Sequence, residues 1–310
     1  MQRQRAREDP FTACFDVPVA GGALRVARAG PPADKAERVV LAVHGVTASL
    51  MTWRTLAREL NGDVCLLAPD LRGRGRSATL PGPYGIAAHL ADLLTVLDHV
   101  GAPPALLVGH SMGAYVIERL AADHPERAIG LVLLDAGLPF QLPDDPEELL
   151  TSAMANTAMR LTITFPSAEH YIAGWRAHPA FARAWNDDLE AYARYDVVDD
   201  GRIARCAVSA AAVRTDSREM LLDERTRLAL ERVRAPVQLL RAERGLFNED
   251  PLIPAEGLRA FAAGHPSVHI EEVAGVNHYT LVMGDSPGPR RVAAAIERGF
   301  GGIVASAHAA

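Results

Sequence analysis

Short apolar runs alternate with amphipathic stretches along most of the chain. FDVPVAGGALRVARAG (15–30) reads as two short strands around a Gly-Gly turn, a hairpin signal. RVVLAVHG (38–45) is apolar on both faces, as expected of a central strand in a parallel sheet. TWRTLARELNG (52–62) predicts a helix stopped at Asn-Gly, VCLLAPD (64–70) a strand, and IAAHLADLLTVLDHVG (86–101) a helix with a glycine just past its end. The rhythm continues with PALLVGHS (104–111, strand), GAYVIERLAADHP (113–125, helix) and AIGLVLLDAG (128–137, strand). It returns with APVQLLRA (strand), PAEGLRAFAAGHP (helix), VHIEEVAG (strand) and GPRRVAAAIERGF (helix). Strand–helix alternation of this kind argues for an α/β protein with a parallel sheet covered on both faces by helices, joined by right-handed crossovers.

One interval breaks the rhythm. Between about Leu138 and Val233 no convincing buried strand is found, and helical pieces carry Met154, Met159, Phe165, Tyr171, Trp175, Phe181, Trp185, Tyr192 and Tyr195. Two of the three tryptophans fall here; the third is Trp53. Any single aromatic in such a stretch has a packing role as its plain reading. Inserted between two strands of a parallel sheet, however, the interval would lie over the strands' C-terminal ends, where open α/β sheets bind ligands. It is read as a helical cap (138–233) on a core made of 1–137 and 234–310.

Composition adds exclusions. With 310 residues the chain suits one large domain or one domain with an insertion. Lys+Arg number 32 against 38 Asp+Glu, a net charge of −6, which weighs against nucleic acid as a partner. Cys14, Cys65 and Cys206 form neither a CxxC pair nor an even framework. No HExxH or Cys/His ligand set occurs, so neither a metal nor another cofactor is expected. The start MQRQRAREDPF has no apolar segment behind it, and no run reaches the length of a membrane span. A cytoplasmic location without a membrane partner is the default expectation. Oligomeric state is not legible.

The chemistry centres on ALLVGHSMGA. Gly109-His110-Ser111-Met112-Gly113 fits G-x-S-x-G, with a buried strand before it and a helix after it. A serine in a sharp strand-to-helix turn projects its hydroxyl above the sheet, and flanking glycines avoid clashes there. The helix N-terminus behind it offers free N–H groups to a developing oxyanion. The alternative is a small residue in a plain turn. LRGRGRS (71–77) lacks the Walker spacing for phosphate, so Arg72, Arg74 and Arg76 are read as structural or solvated.

The sequence resembles the α/β-hydrolase superfamily over nearly its whole length. LAVHGVTAS (41–49), APDLRGRGRS (68–77), GHSMGA (109–114), DPLIP (250–254) and GVNHYT (275–280) occur in that family's order. The resemblance implies an eight-stranded, mostly parallel sheet with a helical cap after strand six. It also implies Ser111 as nucleophile, His278 as general base, and the N–H groups of Val46 and Met112 as oxyanion donors, with Gly45 allowing close backbone approach. His44 is read as orienting or packing, and His110 as diverging from its neighbouring serine.

The acid divides the reading. The commoner position follows strand seven in a Gly-x-x-Asp turn; here LLRAERGLFNEDPLIP nominates Asp250, in a turn longer than usual, with Glu243 nearby. The other follows strand six, where LVLLDAG nominates Asp135. Asp135 is preferred because it leaves a strand without an insertion; Asp250 stays the alternative. The expected reaction is hydrolysis of an ester or lactone through an acyl-enzyme. A serine argues against dehalogenase or epoxide hydrolase chemistry, because those relatives use aspartate at this position. The cap suggests a moderately large, apolar small-molecule substrate, with Phe165, Trp175, Trp185 and Tyr279 as contacts. A cyclase, lyase or carbon–carbon hydrolase using the same triad, or a ligand receptor on the same fold, are the rival functions.

Overall fold

The computed structural model describes residues 8–139, 145, 147, 150 and 161–307, the last six by backbone alone. β1 (Ala13–Val19) and β2 (Gly22–Ala29) form the hairpin that the Gly-Gly turn predicts. β3 (Arg38–Val43) follows, then a 3₁₀ turn, Leu50–Trp53, that runs into α1 (Arg54–Glu59). This helix is shorter than its pattern suggests, because the first turn is wound tighter and Leu60 is already extended. β4 (Val64–Pro69), α2 (Ile86–His99), β5 (Ala105–His110), α3 (Met112–Asp123) and β6 (Ala128–Leu134) complete the first part of the core.

Between β6 and β9 the described residues contain α4 (Ala168–Ala177), α5 (Asp187–Tyr195), β7 (Val197–Asp199), β8 (Ala204–Cys206), α6 (Ala210–Leu222) and α7 (Glu224–Arg227). The β7–β8 hairpin was not anticipated. Its strands are three residues long, too short for periodicity to register, and its turn is closed by Asp200 Oδ1 accepting from the Arg202 and Ile203 N–H groups. Met154 and Met159 lie outside the described residues. The core resumes with β9 (Val237–Arg244), α8 (Ala255–Gly264), β10 (His269–Asn277) and α9 (Gly288–Ala307).

The eight core strands run in the order β1-β2-β4-β3-β5-β6-β9-β10. β2 is antiparallel to both its neighbours, and every other pairing is parallel. Alternation along each strand sends side chains to two cores. Val40, Ala42, Leu106 and Val108 pack with Trp53 and Leu56 before and on α1, and with Val292 and Ile296 of α9. Val39, Leu41, Val43 and Leu107 pack with α2, α3 and α8 through Leu93, Ile117 and Phe261. A strand buried on both faces must read as a continuous apolar run, which is why the central strands are the most legible.

The segment between β6 and β9 is stitched to the loop after β4. Gly75 N–H donates to the Ala207 carbonyl at 3.1 Å, Ser209 N–H donates to the Gly73 carbonyl at 2.8 Å, and Arg74 bridges Val208. Tyr195 adds a side-chain tie, its hydroxyl donating to Asp70 Oδ2 at 2.6 Å. Among the described residues, no helix is long and apolar enough to cross a membrane, and no group of three or more His, Cys, Asp or Glu could hold a metal ion.

Candidate active site

β5 ends at His110 and α3 begins at Met112, so Ser111 alone makes the turn between them. Its backbone lies at φ 56, ψ −125, a region that L-residues adopt only under constraint. The glycines at each side are required sterically. A Cβ on Gly113 would come within 2.0 Å of the Val43 carbonyl oxygen, and one on Gly109 within 2.4 Å of the Gly113 carbonyl oxygen. Strand β3, the serine turn and the start of α3 are therefore packed backbone against backbone.

β6 ends beside this turn. Ser111 N–H donates to the Leu134 carbonyl at 3.1 Å, and Asp135 follows at φ 51, its own N–H bonded to the Leu240 carbonyl. The Asp135 carboxylate is fully buried. One oxygen accepts from the Ala242 N–H at 3.0 Å; the other accepts from His278 Nδ1–H at 2.7 Å. His278, itself 4% exposed, is held on several sides. Its N–H donates to the Arg244 carbonyl, its carbonyl accepts from His110 Nε2–H at 2.9 Å, and Asn277 Oδ1 accepts from the N–H groups of Tyr279 and Thr280. The bond to Asp135 places the Nδ1 proton and leaves Nε2 to accept another. Ser111 and His278 are not hydrogen-bonded to each other, a contact that commonly tightens only with substrate in place.

Asp250 stands apart. It is exposed at the end of the 245–250 turn, and Glu243 is exposed and engaged with the Gly275 N–H. Neither is a partner of His278. Sequence reasoning passed over Asn248. Gly245-Leu246-Phe247-Asn248 is itself a Gly-x-x-Asp turn with an amide in the acid's place. Asn248 Oδ1 accepts from Asn277 Nδ2 at 2.7 Å, and its Nδ2 donates to the Pro179 carbonyl, so it serves as a neutral brace beside His278's neighbour. The spacing from Gly245 was the available signal.

The loop after β3 passes directly beside the serine, since a Cβ on Gly45 would lie 3.1 Å from Ser111 Cβ. The Gly45 carbonyl accepts from His44 Nδ1–H at 2.8 Å and from the Ala48 N–H at 3.2 Å. The Val46 N–H shares that peptide plane and points the opposite way. Met112 is the first residue of α3 and has no intrahelical acceptor for its N–H. His44 Nε2 accepts from the Leu71 N–H, which fixes the tautomer, and complete burial lowers its pKa to about 3. His110 is likewise buried and held well below the usual histidine range by desolvation. Its ring centroid lies 4.4 Å from that of His278, which follows the end of β10.

The aromatic residues split. Trp175 packs with Phe181 and Tyr192, and Tyr279 bridges this cluster to the histidine: its ring lies 5.2 Å from Phe181 and 5.7 Å from His278. Phe165 stands edge-on to Tyr171 and pairs with Ala204 through its backbone; Trp185 lies against Phe181 and under the Arg176 guanidinium. Of the expected contacts, Gly45 and Tyr279 adjoin the Ser111–His278 region, while Phe165, Trp175 and Trp185 sit in the packing between α4, α5 and the core. Two surface clefts, of about 670 and 540 Å³, lie near Asp285–Pro287; neither is lined by Ser111, Asp135 or His278.

A mostly parallel eight-stranded sheet, a strained serine between its fifth strand and a helix, and a buried Asp–His pair at the ends of two strands that flank β9 define an α/β protein of hydrolase architecture. The chain belongs to the alpha/beta hydrolase family, whose profile matches residues 39–295. Over 112 residues it is 41% identical to "Lipase LipV" of Mycobacterium tuberculosis, covering 36% of this chain and 41% of that protein. Over 107 residues it is 39% identical to "Putative carbamate hydrolase RutD" of Variovorax paradoxus (34% and 40%) and 37% identical to "Epoxide hydrolase B" of M. tuberculosis (34% and 30%). The matched segments thus span less than half of these relatives. The solved structure of E-2-(acetamidomethylene)succinate hydrolase is similar in fold, with TM-score 0.74 and 22% identity over 93% of this chain and 98% of that one.

Proposed function

We propose that this protein is a serine hydrolase that cleaves a carboxylic ester or lactone of a moderately large, apolar small molecule through an acyl-enzyme. In this reading Ser111 attacks the carbonyl carbon and His278 takes its proton. Asp135 holds the imidazole in the required tautomer and stabilises the imidazolium. The N–H groups of Val46 and Met112 bind the oxyanion. Collapse of the tetrahedral intermediate expels the alcohol, which receives the proton from His278. Water then attacks the acyl group with His278 again as base, freeing the acid and Ser111. The segment between β6 and β9 acts as the cap, and Tyr279 contributes to the apolar wall beside the base.

The observation that carries this reading is the 2.7 Å bond from His278 to a buried carboxylate, with Asp135 one residue past the Leu134 carbonyl that accepts from the Ser111 N–H, His278 bonded through its carbonyl to His110, and the serine held at positive φ. Strain of that kind persists where the surroundings over-determine it and is concentrated at functional sites. The names of the relatives, a lipase and a putative carbamate hydrolase among them, support acyl chemistry. Incubation with a fluorophosphonate should modify Ser111 in the folded protein and abolish hydrolysis of p-nitrophenyl esters. A folded protein that is neither labelled nor active on esters or lactones would overturn the proposal.

A further inference from the structure

Arg74 stands in the middle of the loop after β4, with no solvent exposure. Its Nε–H donates to the Val46 carbonyl at 2.9 Å, and Nη1 donates to the Arg72 carbonyl and to the carboxylate of Asp216. Asp216 is equally buried and comes from α6, outside the core. Its carboxylate takes two more donors from the core, the Gly85 N–H at 2.7 Å and His89 Nε2–H at 2.9 Å. A buried guanidinium and carboxylate stabilise a fold only in good geometry, and removing one strands the other. The pair therefore commits Arg74 to one position, and that position is the one in contact with Val46.

Val46 is held on both sides. The peptide before it is fixed through the Gly45 carbonyl by His44 and Ala48, and the peptide after it is fixed through its own carbonyl by Arg74. We propose that Asp216 is a positioning residue for the oxyanion donor: through Arg74 it fixes the Val46 carbonyl and so the loop that carries the Val46 N–H, and with it stabilisation of the tetrahedral intermediate at Ser111. This rests on the serine-hydrolase reading above. An oxyanion donor acts by being aimed before charge develops, so freedom in the loop weakens the transition state more than the bound ester. Other ties between α6 and the core survive the loss of Asp216, including the Ser209–Gly73 bond and the Glu219 carboxylate accepting from the Ile86 N–H. Loss of the carboxylate is thus separable from loss of seating.

The test compares wild type, Asp216→Asn, Arg74→Lys and Glu219→Ala for kcat and KM on a p-nitrophenyl ester and for the rate of fluorophosphonate labelling. Arg74→Lys retains the charge opposite Asp216 but not the planar fork that reaches Val46 as well. The expected result is a fall in kcat and in labelling rate of about tenfold or more in Asp216→Asn and Arg74→Lys, with KM within about twofold, since losing an oxyanion donor outright costs about 10²–10³. Glu219→Ala should melt at lower temperature yet keep kcat within about twofold. If Asp216→Asn keeps wild-type kcat and labelling, or loses KM instead, the inference fails. Should that variant not fold, Arg74→Lys decides alone by the same criteria. A wild type that neither labels nor turns over removes the serine-hydrolase reading first, and this inference falls with it.

Discussion

The Asp135 carboxylate reaches His278 Nδ1 at 2.7 Å from the end of a strand two positions away in the sheet, and it does so while also capping the Ala242 N–H of the strand between them. The second bond matters as much as the first. It uses one carboxylate oxygen to fix the group to β9, leaving the other in one orientation toward the imidazole.

Asp135→Asn should therefore lower kcat by about 10³–10⁴ with little change in KM, because an amide presents a donor to Nδ1 and selects the wrong tautomer. Asp250→Asn should stay within about twofold, as expected of an exposed substitution away from the reacting groups. Steady-state kinetics on one ester checks both, and the reverse ranking would reassign the acid.

Glycine substitutions separate steric need from flexibility. Gly113→Ala forces a Cβ to within 2.0 Å of the Val43 oxygen, whereas Gly257, inside α8, has open space around its Cβ position. The first should cost more than about 3 kcal/mol or prevent folding, since the backbone must move. The second should stabilise by about 0.5–1 kcal/mol. Urea unfolding of the two variants measures the difference.

Asp70 carries a pH signature. Burial raises its pKa to about 6, against the favourable contacts from the Leu50 and Arg76 N–H groups and the Tyr195 hydroxyl. The folded state therefore binds the proton more tightly than the unfolded one, and Asp70 makes stability fall as pH rises from about 4 to about 6. Asp70→Asn removes that slope. The stability of the variant relative to wild type should rise across this interval by up to about 3 kcal/mol, at about 1.4 kcal/mol per pKa unit. Urea melts of both proteins at pH 4, 5, 6 and 7 would show it; a constant difference would contradict it.

Tyr279 should discriminate among substrates. Its ring lies 5.7 Å from the His278 ring and joins it to the Trp175–Phe181 cluster. Tyr279→Ala should reduce kcat/KM for long-chain esters about tenfold more than for acetate esters, the scale of a few lost apolar contacts. An equal fall across a p-nitrophenyl ester series would remove Tyr279 from the substrate wall.

The core architecture was legible because its central strands are buried on both faces and have to be written as unbroken apolar runs, as RVVLAV and ALLV are. The two glycines of GHSMGA made the turn legible, because a Cβ at Gly109 or Gly113 would run into backbone. The partner of His278 was legible only as a choice, Asp135 preferred over Asp250: carboxylates follow two neighbouring strands, and the deciding contact joins residues 143 apart in sequence. A similar separation hides the pairing of Arg74 and Asp216, 142 apart. An arginine between glycines looks solvated until a carboxylate from elsewhere is brought against it. Asn248 shows a further limit, since a turn can keep its shape while the charge it usually carries moves to another strand.

The stitching of the loop after β4 to the β8–α6 connection has a consequence for redesign. Exchange of the segment between β6 and β9 with that of another member of the family is a natural way to alter what such a protein accepts. Here the graft would arrive without Asp216 and the Ala207–Ser209 backbone, and would leave Arg74 as an uncompensated buried cation against the Val46 carbonyl. A transplant has to carry residues 70–77 of its donor as well, so the exchangeable unit of this protein is two separate stretches of chain.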